Sequence, residues 1–192
     1  MLLKNTATAL ITLLLCCSCA SKRLDEPSVS AQLHEFVNHT NSHQQLTELQ
    51  LFLARHDVQD VIPIDQILRQ GTAWQSKQLP QFAIPDKALW PKMVSTLKLM
   101  QRFVIPAVGP VEVVSGFRTV TYNNLAGGAK RSKHLEFSAL DVIPQSTTDR
   151  AELHRKLMAL WRLHGPHLAM GLGLYSNSRF HIDTGGHRHW RG

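Results

Sequence analysis

An aspartate in the middle of an apolar run is the feature that most restricts how this chain can fold. Leu140-Asp141-Val142-Ile143-Pro144 reads as a β-strand, branched or apolar around the acid, with Pro144 as its stop. Side chains alternate along a strand, so Ala139, Asp141 and Ile143 share one face. Burying a carboxylate in such a strand is costly unless it is paired or bound to a metal.

A second strand-like segment, Arg179 to Asp183, gives the acid possible company. Its Phe180-His181-Ile182-Asp183 places His181 and Asp183 on one face and the two apolar residues on the other. His134 lies in the loop before the first strand. Taken one at a time, His134 reads as a surface residue, Asp141 as a turn cap and His181 as a satisfied histidine. Taken together, two imidazoles and a carboxylate suit one zinc ion, which accepts nitrogen and oxygen ligands. Three protein ligands leave a fourth position open to water, as in a catalytic rather than a closed structural zinc site.

The rest of the chain supplies the frame. Residues 31–55 carry Leu33, Phe36, Val37, Leu46, Leu49, Leu51, Phe52 and Leu53 at helical spacing, with a polar break over Asn38 to His43. Ile62 to Leu68 predicts a short helix or turn, and Gln70 to Gln81 a polar loop. From Pro85-Asp86, the stripe Leu89, Trp90, Met93, Val94, Leu97, Met100 and Val104 predicts the strongest helix, with its core face along the stripe and Pro106 as its stop. Val111 to Val114 predicts a strand, Asn123 to Lys130 a loop, and Asp149 with Glu152 a capped helix start. Gly171 to Tyr175 predicts another strand. Helices gathered in the first half and strands in the second predict an α+β domain, a small antiparallel sheet packed against helices.

The N-terminus reads as a leader. One lysine precedes an apolar run, Ala7 to Cys17, that is too short to span a bilayer, which takes about 20 residues. Leu15-Cys16-Cys17-Ser18-Cys19 resembles a bacterial lipoprotein signal, which implies cleavage before Cys19 and a lipid on its thiol. An ordinary signal peptide is the other reading. The expected organisation is therefore a signal peptide at 1–18, a tether at 19–30, a helical N-terminal extension at 31–84 and a zinc-site domain at 85–192. All 3 cysteines fall in the leader region, so the mature domain has no thiol for a disulfide, a metal or nucleophilic catalysis. The formal charge of +7 suits an anionic polymer. An exported protein rarely meets nucleic acid, so membrane phospholipid and the anionic cell-wall polymer fit better.

Several spaced blocks carry a more specific signal. Ser115-Gly116-Phe117-Arg118, Asn123, Gly127-Gly128-Ala129, Ser132-x-His134, Ala139-x-Asp141, Gly171-x-Gly173-x-Tyr175, Phe180-His181-Ile182-Asp183 and Arg188-x-Trp190 occur in order. They resemble the zinc D-Ala-D-Ala carboxypeptidase and murein endopeptidase family, the group that shares its fold with the hedgehog signalling domain. The resemblance covers roughly residues 85–192. It implies zinc on His134, Asp141 and His181, a role for Arg118 in holding a substrate carboxylate or the oxyanion, and contact between Ser132 and the peptide. Arginine is a planar donor for the carboxylates of stem peptides. Tyr175 and Trp190 read as packing residues.

The sequence departs from the family at two places. Phe137 stands where the family usually has glycine. Ser178 stands three residues before His181, where some members place a catalytic glutamate. Asp183 is then a candidate general base or a residue that orients a ligand. His187 and His189 are alternatives, and Glu136 is expected to point to solvent. The tail from Gly185 to Gly192 reads either as a metal- or anion-binding end or as a basic solvated terminus. The expected function is zinc-dependent hydrolysis of peptidoglycan peptide bonds by a monomeric protein anchored in the cell envelope, at the outer membrane facing the periplasm. The alternative is a non-catalytic peptidoglycan-binding or scaffold lipoprotein, which Ser178 favours.

Overall fold

The computed structural model describes residues 28–146 and 149–192, so the leader, Cys19 and residues 147–148 lie outside the described residues. Two helices come first, α1 (Val29–Thr40) and α2 (His43–Arg55). They break at Asn41, whose left-handed backbone (φ 52°) ends α1 within the polar stretch. Leu33, Val37, Leu46, Leu49 and Leu53 are buried on their shared side. A short α3 (Ile64–Leu68) follows.

The long central helix forms as a 3-10 turn (Lys87–Leu89), α4 (Trp90–Leu99), one π-helical turn (Met100–Val104) and α5 (Ile105–Val108). It buries Trp90, Met93, Val94, Leu97, Met100 and Val104, the face set by the three-to-four spacing. Pro106 does not stop it. A proline inside a helix lacks one N–H and crowds the carbonyl four residues back, and the π turn just before it gives that carbonyl room. The helix ends at Gly109, with φ 84°, a conformation only glycine adopts without strain.

The sheet holds β1 (Val111–Ser115), β2 (Ala139–Pro144), β3 (Gly171–Leu174), β4 (Phe180–Asp183) and β5 (Arg188–Arg191) in the order β1-β2-β4-β3-β5. The first four pair antiparallel, but β5 runs parallel to β3, so the sheet is mixed. The tail, read either as a metal- or anion-binding end or as a solvated terminus, forms an edge strand. Between β1 and β2 lies α6 (Val120–Leu125), where a loop was expected from Asn123. Thr119 caps it by accepting from the Tyr122 N–H, and the helix is too short to show periodicity. α7 (Arg150–Leu168) starts at Asp149, which accepts from the Glu152 N–H at 3.0 Å.

The two faces of the sheet differ as the alternation requires. Leu140, Val142, Leu172, Phe180 and Ile182 enter one continuous core with Leu33, Met93, Leu97 and Leu157. Each such burial is worth about 1.5–3 kcal/mol. The opposite face carries a row that crosses all the strands. Ser115 pairs with Asp141, Asp141 with His181, His181 with Gly173, and Gly173 with Trp190. No helix among the described residues is long and apolar enough to cross a membrane.

Candidate metal centre

Three side chains converge on that row. His134 Nε2 lies 3.2 Å from His181 Nδ1 and 3.4 Å from Asp141 Oδ1, and His181 Nδ1 lies 3.0 Å from the same oxygen. All three residues are buried. A tetrahedral zinc ion with bonds of about 2.0–2.1 Å separates its ligand atoms by roughly 3.3 Å, so the spacing fits one ion.

The outer atoms decide which atoms face inward. His134 Nδ1 donates to the Gly116 carbonyl at 2.7 Å, which leaves Nε2 as a lone pair. His181 Nε2 donates to Asp183 Oδ2 at 2.9 Å, which frees Nδ1. Asp141 Oδ2 accepts from Arg118 Nη2 at 2.7 Å, which leaves Oδ1 for the cluster. Two imidazole nitrogens and a carboxylate oxygen thus point at one another and need a cation between them. Such outer contacts fix the tautomer and angle of metal-binding histidines.

The electrostatics agree. Burial holds the His134 imidazole below its ordinary value, since its outer partner is a neutral carbonyl. Burial also pushes His181 down, but hydrogen bonds to Asp141 and Asp183 outweigh it and raise the imidazole. The two rings shift in opposite directions because only His181 meets two carboxylates. Burial would push Asp141 up, yet both imidazoles hold it well below the usual carboxylate range.

Arg118 is fixed on three sides. Its Nε donates to Ser115 Oγ at 2.9 Å and to the Gln70 carbonyl at 3.1 Å, while Nη2 holds Asp141. An extra residue in β1 between Val113 and Ser115 shifts the register and brings Ser115 opposite Asp141. Gln70 had no signal in the sequence, because it acts through its backbone carbonyl. Its side chain also accepts from the Thr119 N–H and hydroxyl, which ties the segment after α3 to the start of α6.

Asp183 stands behind the His181 ring, away from the cluster. It is fully buried, and all its contacts are taken. Arg188 grips both oxygens at 2.8 and 3.1 Å, and the Gly185 N–H donates to Oδ1 at 2.7 Å. Its oxygens face His181 Nε2, Arg188 and the Gly185 N–H rather than the gap between the three cluster atoms. His187 and His189 are also turned away. Both rings lie on Trp161 of α7, at 4.3 and 4.4 Å, on the side of β5 opposite Arg188 and Trp190. Glu136 pairs with Lys92 and Lys133, as expected of a solvent-side residue.

Glycines make the site possible. A Cβ on Gly173 would lie 2.6 Å from the Trp190 indole, and one on Gly171 would lie 2.2 Å from Asp183 Oδ2. Side chains from β4 and β5 therefore lean across β3, and Trp190 comes to rest 5.1 Å from the His181 ring. Phe137 takes a left-handed backbone (φ 52°), which explains why glycine is usual there. Its ring is fully buried against Phe117, and that burial offsets the strain.

The cluster opens into a cleft of about 460 Å³ lined by Arg118, Arg131, Ser132, Lys133, Tyr175, Arg179, Arg188 and Trp190. Tyr175 and Trp190 are therefore wall residues of the cleft as well as packing residues. A smaller cleft of about 160 Å³ adjoins it and shares Arg118, Asp141 and Arg179. Asp141 is the one carboxylate among the described residues that line the larger cleft.

Comparison with known proteins places this geometry. Peptidoglycan L,D-endopeptidase MepK of Escherichia coli (strain K12) is 36% identical over 90 residues, covering 42% of this chain and 43% of that protein. MepK of Shigella flexneri aligns with the same figures. The chain spans less than half the length of these curated relatives. The profile of the family described as Peptidase M15 matches residues 66–183, from within α3 to the end of β4 and around every proposed ligand. With more than half of its residues inside that match, the chain belongs to the peptidase M15 family.

Proposed function

We propose that this chain is a zinc-dependent endopeptidase that cuts peptide bonds in the stem peptides or crosslinks of bacterial peptidoglycan. The observation that carries it is the convergence of His134, Asp141 and His181 in a cationic cleft. The name of the MepK relatives supports the substrate and the internal cut. A cleft that continues on both sides of Arg118 suits a chain running through rather than ending there.

When bound, zinc polarises the scissile carbonyl and lowers the pKa of a water towards about 7. Arg118, already held by Asp141, Ser115 and Gln70, turns its remaining N–H groups to a substrate carboxylate or the developing oxyanion. Burial, then the negative charge of Asp141, holds the Tyr175 phenol above its ordinary value, so it stays protonated and can donate. Ser132 contacts the peptide at the cleft wall. Asp183 orients His181 rather than taking a proton. Residues 31–84 form a helical extension that folds onto the 85–192 domain, as their shared core and the Gln70 contact support. The leader at 1–18 and a lipidated Cys19 would tether the protein in the envelope through residues 19–30.

One observation favours the second reading, a binding protein without turnover: Ser178 replaces the family glutamate, and the cleft holds no further carboxylate among the described residues. Incubation of the zinc-loaded protein with intact peptidoglycan separates the two. Soluble muropeptides that vanish with chelator and return with zinc support the peptidase. Tight binding with no released product supports the binding protein.

A further inference from the structure

Helix α7 carries cations on a face that the metal centre does not use. Arg155 and Arg162 are two turns apart on it, and both are exposed. A cleft of about 590 Å³ lies between this face and the ends of β3 and β5, lined by Arg150, His154, Arg155, Arg162, Tyr175 and Arg191, with Gly192 among the others and no Asp or Glu side chain. Arg150, Arg162 and Arg191 form no ion pair with a carboxylate among the described residues. Arg155 has only Glu152 at 3.9 Å, and Lys156 holds the same oxygen more closely at 3.1 Å. His154 Nε2 is buried with no hydrogen-bond partner among the described residues. Burial, then the charges of Arg150 and Arg191, keep that imidazole below its ordinary value.

This cleft adjoins the metal cleft. Tyr175 lines both, and Arg179 lies over its ring at 4.6 Å on the metal side. Cations therefore flank Tyr175 on both sides, and Asp141, held by Arg118, is the one Asp or Glu side chain that lines either cleft among the described residues.

We propose that the α7 cleft is a carboxylate-binding subsite that holds a stretch of the anionic, peptide-bearing polymer beyond the bond to be cut. The proposal rests on the peptidase reading for the polymer's identity. Guanidinium groups without a close carboxylate partner present planar forks that match carboxylates. The concave shape admits a chain, whereas a bilayer presents a flat surface. Continuity at Tyr175 lets one strand occupy both clefts.

The test uses the full zinc-loaded chain and the double substitution Arg155→Gln with Arg162→Gln, at exposed helix positions where glutamine keeps the helix. Co-sedimentation with insoluble peptidoglycan is expected to weaken about tenfold. Half-saturation on the intact polymer should rise by a similar factor. Cleavage of a short soluble crosslinked peptide, too small to reach α7, should stay within about twofold of the parent. Unchanged sedimentation would overturn the proposal, as would equal slowing on both substrates. Loss of binding to phosphatidylglycerol vesicles with polymer binding intact would also overturn it, and would assign the cleft to phosphate headgroups. Sedimentation does not need turnover. A parent protein that binds without cutting, and whose double variant binds weakly, would refute the peptidase reading and support the subsite.

Discussion

His181 offers Nδ1 to the metal cluster because Asp183 holds its Nε2–H at 2.9 Å, and Arg188 in turn fixes Asp183 with two hydrogen bonds. Side chains from two strands, β4 and β5, thus set one ligand atom. Asp183→Asn keeps the shape and removes the charge. The expected result is zinc affinity lower by about 10–100-fold, read by competition with a chromophoric chelator. If Asp183 were the general base, turnover would collapse with zinc affinity unchanged.

Gly173 is where β3 yields to Trp190. Adding one methyl there, Gly173→Ala, meets the indole at 2.6 Å and must displace it from the His181 ring. Overpacking of this kind costs about 1–3 kcal/mol. Urea unfolding should show that loss, and KM should rise with the loss of the Trp190 wall. An unchanged midpoint and KM would mean that the indole is free to move and does not shape the cleft.

Phe137→Gly sets two effects against each other. Relief of the left-handed backbone returns about 1–2 kcal/mol. Loss of a fully buried phenyl ring costs about 3–5 kcal/mol, and glycine adds unfolded-state freedom worth about 0.5–1 kcal/mol. Burial wins, so the variant should be less stable by roughly 2–4 kcal/mol in denaturant titration. A more stable variant would show that strain dominates at this turn.

Much of this was legible in the sequence, and the exceptions share a cause. The alternation around Asp141 and His181 set the ligand face, and the spacing from Trp90 to Val104 set the helix face that covers the core. Period and residue type are local properties. What was not legible depends on partners distant in the chain. β5 exists because β3 offers it an edge, and its Arg188-His189-Trp190-Arg191 reads as a charged tail on its own. Gln70 contributes a carbonyl to Arg118, which no side-chain pattern records. Asp183 shares a face with His181, as the strand period requires, but its two hydrogen bonds with Arg188 of β5 lie outside what that period records. The helix past Pro106 and the short α6 were missed because a π turn and a Thr119 cap override the local signals.

Metal removal should be visible in stability as well as activity. An ion that binds the folded chain alone at a hundredfold excess over its Kd adds about 2.7 kcal/mol. Chelation should therefore lower Tm by roughly 5–10 °C for a chain of this size, and zinc should restore it. The double variant His134→Ala with His181→Ala should show no zinc-dependent shift. A zinc-dependent shift that survives both substitutions would place the ion elsewhere.

The most direct measurement is the mass spectrum of a purified crosslinked muropeptide dimer after incubation with the zinc-loaded chain. Hydrolysis of one internal peptide bond predicts two fragments whose masses sum to the dimer plus one water, absent with chelator and absent for Asp141→Asn. An intact dimer under conditions where zinc is bound would contradict the account, as would the loss of a single terminal residue with the crosslink untouched.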